Sequence, residues 1–73
     1  MRCPHCYEEI KIGHICIFDW FDIDLETFEI RTRELNVANC DWTSVRCSSC
    51  GEEITDEVYY MLNGAEIIYR RDR

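Results

Sequence analysis

Residues 1–6 read MRCPHC and residues 47–51 read CSSCG. Each stretch carries two cysteines separated by two residues, Cys3 with Cys6 and Cys47 with Cys50, and forty residues lie between the pairs. A terminus ordinarily frays, because little burial or hydrogen bonding ties it down. Two cysteines at its very start therefore imply that something holds them. A Cys-x-x-Cys loop turns two thiolates toward one point from a tight bend whose backbone N–H groups face the sulfurs. Two such loops complete the tetrahedral four-sulfur shell that Zn2+ prefers, with metal–sulfur bonds near ~2.3 Å. Pro4 stiffens the first loop and Gly51 frees the backbone just after the second. The expected ligand set is Cys3, Cys6, Cys47 and Cys50 around one Zn2+ per chain.

The composition agrees with a metal-stapled globule. Seventy-three residues from Met1 are read as one small domain, residues 1–73, near the size at which a hydrophobic core alone is barely sufficient. With 47% hydrophobic and 32% charged residues, wholesale disorder is not expected. Six cysteines in a secreted chain would suggest three bridges, with about 15 connectivities open. Met1 is followed directly by Arg2 and Cys3, however, without the apolar core of a signal peptide. No apolar run exceeds five residues, with Ile15 to Phe18 a run of four, so no membrane span is expected. The reading is a reducing cytoplasm, where clustered cysteines serve as metal ligands. Tetrahedral iron fits the same four sulfurs. Two redox-active motifs are a further alternative, although thioredoxin-type chemistry places its motif at the start of a helix in a βαβ setting.

Between the knuckles the chain reads mostly as strand. KIGHICIFDWFDIDL (residues 11–25) is rich in Ile, Phe and Trp, and alternates most cleanly where Ile23 and Leu25 interleave with Asp22, Asp24 and Glu26. TFEIRT (27–32) reads as a second strand, LNVANCDW (35–42) as a turn-rich passage, and TSVRC (43–47) as the lead into the second knuckle. Antiparallel pairing of these pieces would bring the knuckles together. After Gly51 two readings compete. Asn63-Gly64 between VYYML and AEIIY is a hairpin signature that would set Glu57 across from Arg70. Against it, Thr55 suits an N-cap, Asp56 and Glu57 the first turn, and Gly64 the position after a helix. Val58, Met61, Leu62 and Ala65 would then form one apolar stripe. The preferred expectation is a helix from Asp56 to Leu62 and a strand over Glu66–Tyr69. No internal repeat beyond the two Cys-x-x-Cys units, no linker and no low-complexity tract is read.

Cys3-Pro4-His5-Cys6 and Cys47-Ser48-Ser49-Cys50-Gly51 resemble the two knuckles of a zinc ribbon, in which antiparallel strands join a pair of metal-binding turns. The resemblance implies a small zinc-stabilised α+β fold: an antiparallel β zinc ribbon, here with one short C-terminal helix. It covers nine residues. The spacer is longer than most ribbons use, and Tyr7 stands where ribbons often have glycine.

The remaining cysteines, Cys16 and Cys40, read as small buried apolar residues, with a disulfide or a second metal site involving His14 as alternatives. His5 and His14 read as bystanders to a four-sulfur site. The passage DWFDIDLETFE (19–29) holds five acids, no base and three aromatics. An ordinary amphipathic strand with a solvated acidic face would explain it. The functional alternative is a docking surface in which Asp19, Asp22, Asp24, Glu26 and Glu29 steer the chain and Trp20 anchors it. The tail YRRDR reads as a solvated end. No nucleophile–base pair and no phosphate-cradling glycine loop is found, and four sulfur ligands leave no open metal position, so no enzymatic activity is expected.

Fifteen acids against eight bases give a net charge of −7, a disadvantage for binding phosphates. Seven of the eight bases are arginine, which suits carboxylate pairing, although host codon bias explains the count equally well. Two function classes follow. The first is a protein-interaction module whose acidic face meets a basic surface of a cytoplasmic machine that handles nucleic acid. A free-standing acidic ribbon of this size resembles the small regulators that phages encode to bind host RNA polymerase, which would place it in the host cytoplasm. The second is direct nucleic-acid binding through Arg31, Arg33, Arg46, Arg70 and Arg71. Charge favours the first.

Overall fold

A computed structural model describes residues 1–34 and 36–71. Leu35 of the turn-rich passage and Asp72 and Arg73 of the basic tail lie outside the described residues. The chain builds a five-stranded sheet in the order β4-β1-β2-β3-β5. Its strands are β1 (Ile12–Cys16), β2 (Trp20–Asp24), β3 (Glu29–Thr32), β4 (Ser44–Cys47) and β5 (Ile68–Arg71), with an α-helix, α1 (Thr55–Leu62), and a short 3-10 turn at Val37–Asn39. Three of the four strand pairings are antiparallel. This is the small α+β architecture, antiparallel sheet plus short helix, that the zinc-ribbon resemblance implies.

Residues 11–25, read as one strand, form a hairpin instead. Cys16 stands opposite Trp20, so Ile17, Phe18 and Asp19 make a three-residue turn. It closes with a hydrogen bond from the Ile17 N–H to the Asp19 carbonyl (2.9 Å) and a second from the Trp20 N–H to Asp19 Oδ1 (2.8 Å). Two of the three turn residues are large and apolar, so hydropathy alone shows no break here. The next turn is held by a carboxylate. Asp24 Oδ1 accepts from the N–H groups of Glu26 (2.8 Å) and Thr27 (3.1 Å), the side-chain-to-backbone turn that aspartate favours. The chain then reverses through Phe28 at a φ of 59°, and Ile23 meets Ile30 across β2 and β3.

β1 is the central organiser, paired with β2 on one side and with β4 on the other, where Gly13 faces Cys47. Both pairings are tight at Gly13. A Cβ there would lie 3.3 Å from the Arg46 carbonyl and equally close to Leu25 and Val45 side chains.

The helix begins one residue earlier than expected, at Thr55, with Ile54 at the N-cap and no side-chain cap. Thr55 is otherwise engaged: its hydroxyl accepts from the Val45 N–H (3.1 Å) and donates to Glu53 Oε1 (2.9 Å), tying α1 to β4. Asn63 and Gly64, both left-handed (φ 49° and 87°), end the helix, a C-terminal use of the pair rather than a hairpin turn. Only Val58 and Leu62 of the expected stripe are buried; Met61 is partly exposed, and Ala65 lies past the helix end, exposed. The last strand starts at Ile68, two residues beyond the expected Glu66, and pairs with β3 in parallel, Ile30 beside Tyr69. Glu57 and Arg70 therefore do not face each other. Parallel partners need a long crossover, and residues 33–67, containing β4 and α1, supply it.

One face of the sheet is the core. Ile15, Ile23, Ile30 and Val45 pack there with Ile54, Val58 and Leu62, and the buried cluster includes Cys3 and Cys47. Cys16 and Cys40 are half-buried rather than enclosed, because Cys16 points to the outer face of β1 and Cys40 sits in a loop.

Backbone N–H groups hold the Asp24 carboxyl below the usual carboxylate range, those of Glu26 and Thr27 foremost. A lowered folded-state value stabilises the fold above the ordinary carboxylate range, and that contribution vanishes as pH falls through and below it. Asp24→Ala should cost about 1 kcal/mol at neutral pH, as lost side-chain caps do. In thermal melts the gap to the parent chain should close on acidification. A gap constant with pH would contradict this account.

Candidate metal centre

Four sulfur atoms, those of Cys3, Cys6, Cys47 and Cys50, lie within 4.8 Å of one another. Cys3 Sγ is 3.7 Å from Cys50 Sγ, and Cys6 Sγ is 3.9 Å from Cys47 Sγ. Sulfurs at the corners of a tetrahedron around an ion with bonds of ~2.3 Å stand about 3.8 Å apart. The cluster therefore has the dimensions of a single tetrahedral site, and its four cysteines lie close enough to bind one metal ion. All six cysteines are free thiols.

The backbone prepares each half of the site in the same way. In the first knuckle the Cys3 carbonyl accepts from the Tyr7 N–H (2.9 Å), and the Cys3 N–H donates to the Glu8 carbonyl (3.0 Å). In the second, Cys47 relates to Gly51 (2.9 Å) and Glu52 (2.9 Å) identically. N–H groups point at sulfur in both: His5 N–H to Cys3 (3.4 Å), and Ser49 N–H to Cys47 (3.3 Å). Arg2 Nη1 donates to the Tyr7 carbonyl (3.0 Å), and Arg46 Nη1 donates to the Gly51 carbonyl (3.1 Å). Even the short bridges match, Arg2 with Glu9 and Arg46 with Glu53.

This duplication is written in the sequence. RCPHCYEEI (2–10) and RCSSCGEEI (46–54) share Arg, both cysteines, Glu-Glu and Ile at a constant offset of 44. The expectation of no repeat beyond the Cys-x-x-Cys units is thus corrected: aligning the two knuckles outward reveals a nine-residue repeat. The pattern also explains Tyr7. It occupies a left-handed position (φ 62°) that its counterpart Gly51 (φ 78°) fills without a Cβ.

The electrostatics of the cluster suit a cation. Burial pushes the Cys3 thiol up, but the N–H groups of Cys6 and His5, with the Cys47 and Cys6 thiols, outweigh it and bring it down to about 6. For Cys50, the Glu52 N–H lowers the value, yet desolvation and the three neighbouring thiols push it up to about 12. One sulfur ionises readily and its neighbour resists, as expected when like charges crowd one place. A divalent ion removes the conflict and lets all four become thiolates.

Neither histidine belongs to the cluster. His5 Nε2 lies 3.1 Å from the Glu53 carbonyl, linking the two knuckles, and His14 Nδ1 lies 3.1 Å from Asp22 Oδ1 on the sheet's outer face.

The acids singled out in residues 19–29 take different parts. Asp19 and Glu26 are exposed in turns, and Trp20 and Asp22 are exposed on β2. Asp24 is committed to its turn. Glu29 has only 17% of its side chain exposed and pairs with Arg70 Nε at 3.1 Å. Neighbouring strands interleave bases among them: Arg46 and His14 lie in register, with Asp22 opposite His14, and the Arg46 guanidinium sits 5.7 Å from the Trp20 ring. The outer face is therefore a mixed charge stripe rather than a continuous acidic surface.

Comparison with protein-family models, curated proteins and solved structures finds no match. Among the described residues no helix is long and apolar enough to cross a membrane.

Native mass spectrometry should find one metal per chain, and a chelator or Cys47→Ser should abolish near-UV CD and the cooperative melt. Cys16→Ala and Cys40→Ala should keep full stoichiometry. Because ligands must be deprotonated, metal affinity should fall with pH. The repeat makes an asymmetric prediction. Tyr7→Gly relieves left-handed strain at a side chain 70% exposed and should be neutral or stabilising, whereas Gly51→Tyr should cost about 1–2 kcal/mol. Equal effects in denaturant titrations would refute the duplicated-turn account.

Proposed function

We propose that this chain is an acidic, zinc-stapled protein-interaction module that docks on a basic surface of a cytoplasmic nucleic-acid-handling machine. In this reading Zn2+ fills the Cys3/Cys6/Cys47/Cys50 site, one ion per chain, and its role is structural. Four sulfur ligands leave no position for a substrate, and no enzymatic activity is assigned. The observation that carries the proposal is the net charge of −7, which four thiolates around one dication make more negative still. Such a chain is steered toward positive surfaces and away from phosphate. Asp19, Trp20, Asp22 and Glu26 are the exposed members of the docking set, whereas Asp24 and Glu29 contribute mainly to the fold. RNA polymerase is the candidate machine, on the resemblance to small phage-encoded regulators, and regulation of transcription is the corresponding role.

The second reading, direct nucleic-acid binding, draws support from register: Arg31 stands beside Arg70 where β3 pairs with β5. Glu29 offsets that pair, since its carboxylate lies 3.1 Å from Arg70 and 3.9 Å from Arg31.

Affinity capture from host lysate, with and without nuclease, separates the two. The proposal expects nuclease-resistant capture of a protein complex. Asp19→Asn, Asp22→Asn and Glu26→Gln should slow association and weaken its salt dependence without loss of metal. Were nucleic acid the partner, the same changes would strengthen binding, and Arg31→Gln and Arg70→Gln would weaken it.

A further inference from the structure

A second concave feature lies away from the four-cysteine cluster, between α1 and β5. Trp42 and Tyr59 stack with ring centroids 4.4 Å apart and planes 28° from parallel. Together with Tyr69 and the loop that follows the helix they wall a cleft of about 560 Å3, within the range of small-ligand sites. Leu62 contributes apolar surface, and Asp41 and Glu66 are the charged groups of the lining. No base lines it. Among the described residues neither acid has an ion-pair partner. Both carboxylates bear on the phenol of Tyr69, which burial first, then Asp41, Cys40 and Glu66, push above its ordinary value.

Aromatic faces attract cations through their quadrupole, and unpaired carboxylates add direct charge, so this lining selects a cation over a neutral or anionic group. A guanidinium suits it better than an ammonium. Its plane lies flat on an aromatic ring, its fork meets a carboxylate with two parallel hydrogen bonds, and it sheds water more easily. We infer that the cleft walled by Trp42, Tyr59 and Tyr69 and charged by Asp41 and Glu66 receives an arginine side chain from a basic segment of a partner protein. The inference rests on the reading of a basic protein partner and moves the anchoring contact from the sheet's outer face to the cleft beside the helix. Charge complementarity names the occupant: the cleft carries two acids and the whole chain −7.

The test is a titration of the metal-loaded, isotope-labelled chain with a short peptide carrying one arginine, and with the same peptide carrying citrulline, its neutral isostere. Resonances of Trp42, Tyr59 and Tyr69 should shift with the arginine peptide, and that peptide should bind about tenfold more tightly than the citrulline form. Asp41→Asn and Glu66→Gln should each weaken it by about three- to tenfold and flatten its salt dependence. Trp42→Ala removes half-buried surface and risks unfolding. The two charge variants are exposed, and metal stoichiometry and melting temperature show that they remain folded. Equal binding of the two peptides, shifts confined to the Trp20–Asp22 face, or unchanged affinity in both charge variants would overturn the assignment. Association with a captured partner distinguishes it from the broader reading. If cleft variants leave that association unchanged while Asp22→Asn slows it, docking stands and the cleft is overturned. If the wild-type chain captures no protein yet holds the arginine peptide, docking fails and the cation site stands.

Discussion

Four sulfurs within 4.8 Å of one another cannot all carry charge unless a cation sits among them. That constraint governs the rest of the molecule. Two of the four cysteines, Cys3 and Cys47, are also fully buried members of the hydrophobic cluster, so the ligand set and the core share residues. Cys47 ends β4 opposite Gly13 of β1, so whatever draws the sulfurs together also bears on the pairing of those two strands. For a chain near the lower limit of self-sufficient cores, an ion bound there would supply what apolar burial alone does not.

The duplicated knuckle shows how the staple is engineered. Each half repeats an arginine that grips the carbonyl of a left-handed residue, two cysteines around a tight bend, and an isoleucine that enters the core. Ile10 and Ile54 are both buried, so each knuckle turns sulfur toward the shared cluster on one side and an apolar side chain into the core on the other. The left-handed residue is the point of divergence: Gly51 takes it without strain, while Tyr7 accepts strain in exchange for a large exposed ring. Among the described residues no hydrogen bond of the Tyr7 side chain explains that choice.

Charge is distributed less simply than the linear run of acids suggests. The acids of residues 19–29 divide among a turn lock (Asp24), an internal ion pair (Glu29) and exposed positions (Asp19, Asp22, Glu26), with Arg46 laid against Trp20 from two strands away. Long-range steering depends on net charge and survives this interleaving. Short-range anchoring depends on local surface, and there the aromatic cleft beside α1, lined by no base among the described residues, offers a cation more than the outer sheet face does.

The four-cysteine cluster and the end of the helix were legible in the sequence because both are local chemistry. Cys-x-x-Cys spacing encodes a bend by itself, and Asn63-Gly64 after an amphipathic stretch allows a left-handed stop. The nine-residue repeat was equally legible, by aligning outward from the cysteines. Other features depended on partners distant in sequence. The turn at Ile17–Asp19 carries two large apolar residues and is revealed only by the pairing of β1 with β2. The same Asn-Gly pair also fits a hairpin, and the docking of β5 onto β3 excludes it. Thr55 has the chemistry of a cap, but Val45 and Glu53 occupy its hydroxyl. The cleft joins Trp42, Tyr59 and Tyr69 from three separate segments. Sequence determines bends, caps and ligand types, whose energetics lie within a few residues. Only the tertiary structure decides which strand pairs with which and what surface results, because those depend on contacts whose partners are tens of residues apart.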